Sequence, residues 1–257
     1  MIHETAIIHP QAEVDSSVEI GPFCVVGPHV KIGKDSQLKS HVMIEGHTTV
    51  GEKNIFFPFS SIGAIPQDLK YKGEPTRVEM GDRNVVRENV TINLGTENGG
   101  GVTSVGNDNL IMAYVHLGHD CHVKNHCILA NNVGLAGHVI LEDFVNLGGM
   151  VGVSQFVRVG AHAYITGQSG LEKSVPPFCI AMGSRPCNVK GANIVGLRRH
   201  GLSSETITMI NEAIKLWTRP DVEKEQSLLE IESQYGECEE IKHFVAFIRE
   251  SRQGVVR

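Results

Sequence analysis

The pair His119-Asp120 has the makings of a general base with an orienting carboxylate, because a neighbouring acid can fix the imidazole tautomer and favour the imidazolium formed on taking a proton. Eighteen residues further on stands Gly137, and eighteen beyond that Gln155. In a chain that returns to the same corner every 18 residues, these three stack about 4.8 Å apart, with a bare glycine N–H beside the histidine. One group to take a hydroxyl proton and one N–H to hold an oxyanion are what acyl transfer needs. His138 follows Asp120 at the same spacing. Metal binding is the rival chemistry, since His116, His119, His122, His126 and His138 crowd one region. His116 and His122 are one repeat apart and point from different sides, so a zinc site would need ligands from two chains. The bland alternative makes all of these solvated corner residues. Cysteine offers little: Cys24, Cys121 and Cys127 fall at small inward positions, and Cys179, Cys187 and Cys238 show no C-x-x-C spacing, so neither a zinc knuckle nor a disulfide framework is supported.

The elements that position these residues are set by a repeat. Stepping by six from Val105 to Leu171 lands on twelve positions, all Ile, Leu or Val, which chance would produce with a probability on the order of 10⁻⁷. The same step from Ile2 to Ile62 is broken only by Phe56. Strand side chains alternate, so the residue four places after each aliphatic shares its face, and those residues are small, as at Val115, Cys121 and Ala163. Glycine often follows the aliphatic, as at Gly21, Gly118 and Gly160, where a corner tolerates no Cβ or needs unusual dihedrals. Each hexad is thus one short strand and one turn, and three make an 18-residue coil of a parallel β-helix. Residues 63–79 and 93–104 fall out of phase and are expected to leave the prism as loops, which in solenoids collect on the binding face.

Three parts are expected: a β-helix over 1–185, a connector over 186–202 and a helical domain over 203–257. Ser203 caps a helix with Ile207, Ile210, Ile214 and Trp217 on its apolar face, and Pro220 ends it. A second helix is expected over 222–234, and a third carries Ile241, Phe244, Val245 and Ile248. Net charge is −6, concentrated in the acidic residues of 221–240, whereas Arg185, Lys190, Arg198 and Arg199 form a basic stretch suited to a phosphate or an acidic partner. Aromatics are only 5%, so the core is built from small aliphatic side chains. No basic domain marks a nucleic-acid binder, and no apolar run suits membrane insertion or secretion, so the expected location is cytoplasmic.

The hexads resemble the hexapeptide-repeat acyltransferases, which implies a left-handed prism. More specifically, Ile20-Gly21-Pro22-Phe23-Cys24, Gln67-Asp68-Leu69-Lys70-Tyr71, Leu117-Gly118-His119-Asp120-Cys121 and Leu135-Ala136-Gly137-His138 are similar to the UDP-N-acetylglucosamine O-acyltransferase family, which opens lipid A synthesis. The resemblance runs the whole length. It implies a homotrimer with sites in the subunit clefts and transfer of a 3-hydroxyacyl group from acyl carrier protein to the glucosamine 3-hydroxyl. His119 is then the general base, Asp120 its partner and the Gly137 N–H the oxyanion donor. Gln67, Asp68 and Lys70 contact substrate from the first loop, His116, His138 and Gln155 line the sugar and pantetheine region, and Asn193 and Arg199 face the nucleotide. Gly167 corresponds to a ruler that stops the acyl tail. No metal or diffusible cofactor is implied beyond the carrier's phosphopantetheine. Ser154, Arg185 and Val195 depart from the family's usual residues, which leaves a 3-amino sugar acceptor open. The later N-acyltransferase of the pathway, a gamma-type zinc hydrolyase and a non-enzymatic solenoid are the remaining alternatives.

Overall fold

Six-residue periodicity and strand alternation act together in the computed structural model, which describes residues 1–257. Most hexads form a two-residue strand whose first residue faces out and whose aliphatic second residue faces in. Three hexads close one coil, and successive coils stack in three parallel sheets of a left-handed β-helix. The first sheet has nine strands and holds Ile7–Ile8, His116–Leu117 and Gly134–Leu135; the second has eight and holds His122–Val123; the third has ten and holds Ile128–Leu129. Ile7 pairs with Val25, His116 with Gly134 and Gly134 with Gly152, so the ladder advances one coil per 18 residues.

The out-of-phase segments are shorter than expected. Arg77–Met80 and Val102–Val105 are four-residue strands paired with one another, and Arg77–Met80 also pairs with His47–Val50. Ser61–Ala64 pairs with Thr91–Asn93 across a register shift at Gly63. The extruded residues are therefore 65–76 and 94–101; their flanks stay in the ladder because that pairs backbone groups a loop would leave to solvent.

The expectation for glycine divides in two. Gly21 has no positive φ, but a Cβ there would run into the Lys39 carbonyl of the next coil. Left-handed backbone belongs instead to non-glycine residues three places before an inward aliphatic, among them Asp108 (φ 58°), Asp120 (φ 59°) and His138 (φ 64°). Asp, Asn and His tolerate that region better than most side chains.

Corner N–H groups point away from the ladder and need other partners. At the corner between the second and third sheets, stacked side chains supply them: Asn107 Oδ1 accepts from Asp82 N–H, Asn125 Oδ1 from Asn107 N–H and Asp143 Oδ1 from Asn125 N–H, at 2.8–2.9 Å. Inside the prism Asn54, Asn84 and Asn109 form a buried ladder, each Nδ2 also donating to a carbonyl.

After Cys179–Met182, which extends the third sheet, Asn188–Ala192 folds back antiparallel to it, so the segment 186–202 contains a strand and the short helix α1 (Ile194–Arg199). Helices α2 (Ser204–Trp217), α3 (Lys224–Tyr235) and α4 (Glu239–Glu250) follow. Ser203 accepts from Thr206 N–H as the α2 cap, and the predicted stripe from Ile207 to Trp217 is buried. None of the helices is long and apolar enough to cross a membrane.

The helical domain is tied to the prism through Glu142. This carboxylate is 4% exposed and accepts from His243 Nε2 of α4 (2.8 Å), Ala161 N–H (2.9 Å) and Arg158 Nη2 (3.1 Å). Burial pushes its pKa up, but the bonds from His243, Ala161 and Arg158 outweigh that and hold it below the usual 4.5. Its stabilising contribution is therefore present above the unfolded value and lost as pH falls through the folded one. Glu142→Gln is expected to lower unfolding free energy at pH 7 by about 3 kcal/mol and to weaken the loss of stability below pH 4.5, both measurable by urea titration. An unchanged midpoint and acid limb would show that the tie carries no load.

Candidate active site

His119 stands at the corner between the first and second sheets, and its ring is turned by its neighbour. Nδ1 lies 2.8 Å from Asp120 Oδ2, and the Asp120 side chain is fully buried. A carboxylate can only accept here, so Nδ1 carries the proton and Nε2 is left as the basic nitrogen. Asp120 is itself fixed by the second extruded loop. Thr96 N–H donates to Oδ1 (2.8 Å) and the Thr96 hydroxyl to Oδ2 (2.6 Å), while Asp120 N–H donates to Thr103 Oγ1 (2.8 Å). Gly99 closes over the carboxylate, and a Cβ there would collide with it. Sequence reasoning missed Thr96, Gly99 and Thr103; the only signal was the break in phase over 93–104 that carries all three.

Gly137 lies one coil above His119. A Cβ on it would sit 2.6 Å from His119 Nε2, so the bare backbone makes room for the ring. Its N–H has no partner within the chain, because this corner lacks the carboxamide ladder of its neighbour. At the same corner in earlier coils the position is filled by Pro10 and Pro28, which have no N–H to satisfy. The basic nitrogen and a free N–H thus face one cleft of about 810 Å³, whose walls include Gln67, His116, Gln155 and Arg185.

The other histidines are placed around this pair. His116 Nδ1 bonds Thr91 Oγ1 (2.7 Å), and burial, with help from His119, pushes its pKa down. His138 meets His119 edge-on at 5.0 Å, stacks on Phe156 at 4.4 Å and has its Nδ1 3.7 Å from Asp120 Oδ2. Burial lowers its pKa, opposed by Asp120 and more weakly by Asp68 of the first loop. His122 faces the other side of the corner and pairs with Ser104 Oγ (2.8 Å). His119, Asp120 and His138 offer ligand atoms within 4.8 Å of one another. Both Asp120 oxygens and His119 Nδ1 are already engaged in the bonds above, so a metal would have to strip them; the donor set fits an orienting network better. Buried Cys121 and Cys127 have their thiols pushed up to about 12, as packing residues should.

Not every expected residue converges. Lys70 is exposed on the first loop, outside the cleft lining that includes Gln67. Asn193 caps α1 and donates to the His162 carbonyl (2.8 Å) at the corner between the second and third sheets, and Arg199 lies at the other end of that helix. Gly167 sits at the remaining corner, between the third and first sheets. Its φ is ordinary, and a Cβ would come within 3.2 Å of the Gly149 carbonyl.

Residues 103–137 match the bacterial transferase hexapeptide family, and residues 175–256 match the second domain of UDP-N-acetylglucosamine O-acyltransferase. Among solved structures, the UDP-N-acetylglucosamine acyltransferase of Francisella novicida is 41% identical over all of this chain and 94% of its own, with a TM-score of 0.96. The Bacteroides fragilis enzyme is 41% identical with both chains fully covered and a TM-score of 0.97. The Arabidopsis enzyme, at 29% identity and full coverage of both chains, gives 0.86. Identity of this order along the entire chain, over a corner that carries a base and an open N–H, means that the protein belongs to the UDP-N-acetylglucosamine O-acyltransferase family.

Proposed function

We propose that the protein transfers a 3-hydroxyacyl group from acyl carrier protein to the 3-hydroxyl of UDP-N-acetylglucosamine, opening lipid A synthesis in the cytoplasm. The observation that carries this reading is the His119 Nε2, freed by the 2.8 Å Nδ1–Asp120 bond, beside the unpaired Gly137 N–H. Nε2 takes the proton of the sugar hydroxyl as its oxygen attacks the thioester carbonyl. The Gly137 N–H receives the oxyanion of the tetrahedral intermediate. Collapse breaks the carbon–sulfur bond, and the imidazolium returns its proton to the departing thiolate of the carrier's phosphopantetheine. Asp120 keeps its bond to Nδ1 and stabilises the imidazolium.

A homotrimer with sites between subunits is part of the proposal. Asn193, Arg199 and Gly167 lie at corners other than that of His119, so they serve such a site only from a neighbouring chain. The exposed outward column Ile7, Val25 and Met43 supports packing against a second copy. Higher on the same face, Gly134 and Gly152 have neither positive φ nor a crowded Cβ position, which supports an open floor for the donor's chain. Gly167 then acts as the ruler by leaving the groove open to long tails.

His119→Ala is expected to lower turnover by roughly 10²–10⁴-fold with circular dichroism unchanged, and Asp120→Asn to cost less; near-normal turnover by folded His119→Ala would remove it from the mechanism. Coexpressing His119→Ala with Arg199→Ala chains should restore up to roughly a quarter of wild-type activity if clefts are shared. No recovery from mixed trimers would place both residues in one chain's site. Gly167→His should shift donor preference to shorter acyl groups in a competition assay, and an unchanged preference would dismiss the ruler.

A further inference from the structure

Buried polar side chains in this protein are satisfied almost without exception. Asn54, Asn84 and Asn109, each at most 1% exposed, use their oxygens to accept from neighbouring coils. The single buried side-chain nitrogen or oxygen without a partner is Asn93 Oδ1. Asn93 is 4% exposed and ends the strand Thr91–Asn93, where the register shift beside Gly63 sets it against Ala64. Its Nδ2 donates to the Ala64 carbonyl at 3.5 Å, which leaves Oδ1 as the free end of the amide.

Leaving such an acceptor unpaired is costly, so its persistence needs a cause outside the folded chain. Asn93 lines the same cleft as His116 and His119, on the side of the first extruded loop, where Gln67 also stands. Thr91, two residues earlier, holds His116 through its hydroxyl. The orphan oxygen therefore belongs to the half of the cleft opposite Gly152 and Gly170, away from the proposed donor floor.

We infer that Asn93 Oδ1 accepts a hydrogen bond from the acceptor sugar, and specifically from the acetamido N–H beside the reacting hydroxyl, making Asn93 a specificity-determining residue. This rests on the function proposed above. An amide oxygen has no proton to give, so only a hydrogen-bond donor that enters the cleft Asn93 lines can satisfy it. The sugar's acetamido group carries one on the carbon adjacent to the hydroxyl that His119 deprotonates. Pairing it removes the cost borne by the free protein, so the bond favours the acetamido sugar over a nucleotide without one.

The test compares wild type, Asn93→Leu and Asn93→Ala by calorimetric titration with UDP-N-acetylglucosamine and with UDP alone, alongside thermal unfolding. Both variants should bind UDP-N-acetylglucosamine about tenfold more weakly while keeping the wild-type affinity for UDP. Asn93→Leu should unfold at or above the wild-type temperature, because it removes an unsatisfied group; Asn93→Ala supplies the binding comparison if leucine does not fit. Unchanged sugar-nucleotide affinity, or an equal loss for UDP alone, would overturn the assignment. Wild-type protein that binds UDP but not its N-acetylglucosamine conjugate would overturn the proposed function and this inference with it. Sugar-nucleotide binding weakened only in the Asn93 variants, with wild type active, supports both readings, whereas an active wild type whose variants bind the sugar nucleotide normally overturns this inference alone.

Discussion

Each coil of the prism passes its backbone hydrogen bonds to the next at 18-residue spacing, and this single repeat disciplines everything attached to it. Strand pairs such as His116 with Gly134 and His122 with Ile140 leave no freedom in where a corner residue stands. Aliphatic side chains must then fill a narrow interior, and corner N–H groups must find partners outside the ladder. Where side chains such as Asn125 and Asp143 provide them, the corner's N–H groups are satisfied within the chain. Where they do not, as at Gly137, the N–H is left open, as the proposed oxyanion donor requires.

The two interruptions of the repeat are where chemistry is added. The second loop closes on Asp120 through Thr96, so a residue that a regular coil would leave at a solvated corner becomes a buried, oriented carboxylate. The first loop brings Gln67 to the cleft, and its base at Gly63 strands the oxygen of Asn93. Rigidity from the ladder and exceptions from the loops are complementary, since a base and an N–H must be held in register while substrates still need a way in.

Much of this was legible in the residues. The hexads from Val105 to Leu171 dictated the parallel coils, and the 18-residue step placed His119, Gly137 and Gln155 on one corner. Ser203 and the stripe ending at Trp217 marked α2. What was hidden depended on contacts distant in sequence. Thr96 reaches Asp120 across a loop of no regular pattern, and Glu142 meets His243 from a different domain. The loop bounds were overdrawn because Arg77–Met80 and Val102–Val105 pair with one another although 77–79 and 102–104 lie out of phase. The preference of Asp120 and His138 for left-handed backbone was also invisible, being a demand of the turn on whichever residue fills it.

The central claim is that a buried carboxylate held by the second loop fixes the proton of His119 on Nδ1, leaving Nε2 to act as base beside Gly137. Nitrogen-15 resonance spectroscopy of the protein labelled at histidine reads this directly. Above the range in which the imidazole is protonated, His119 should show a protonated Nδ1 and an unprotonated Nε2, and Thr96→Val should increase the share of the other tautomer. A His119 whose proton sits on Nε2 in the wild-type protein would contradict the account, because no base would then face the cleft.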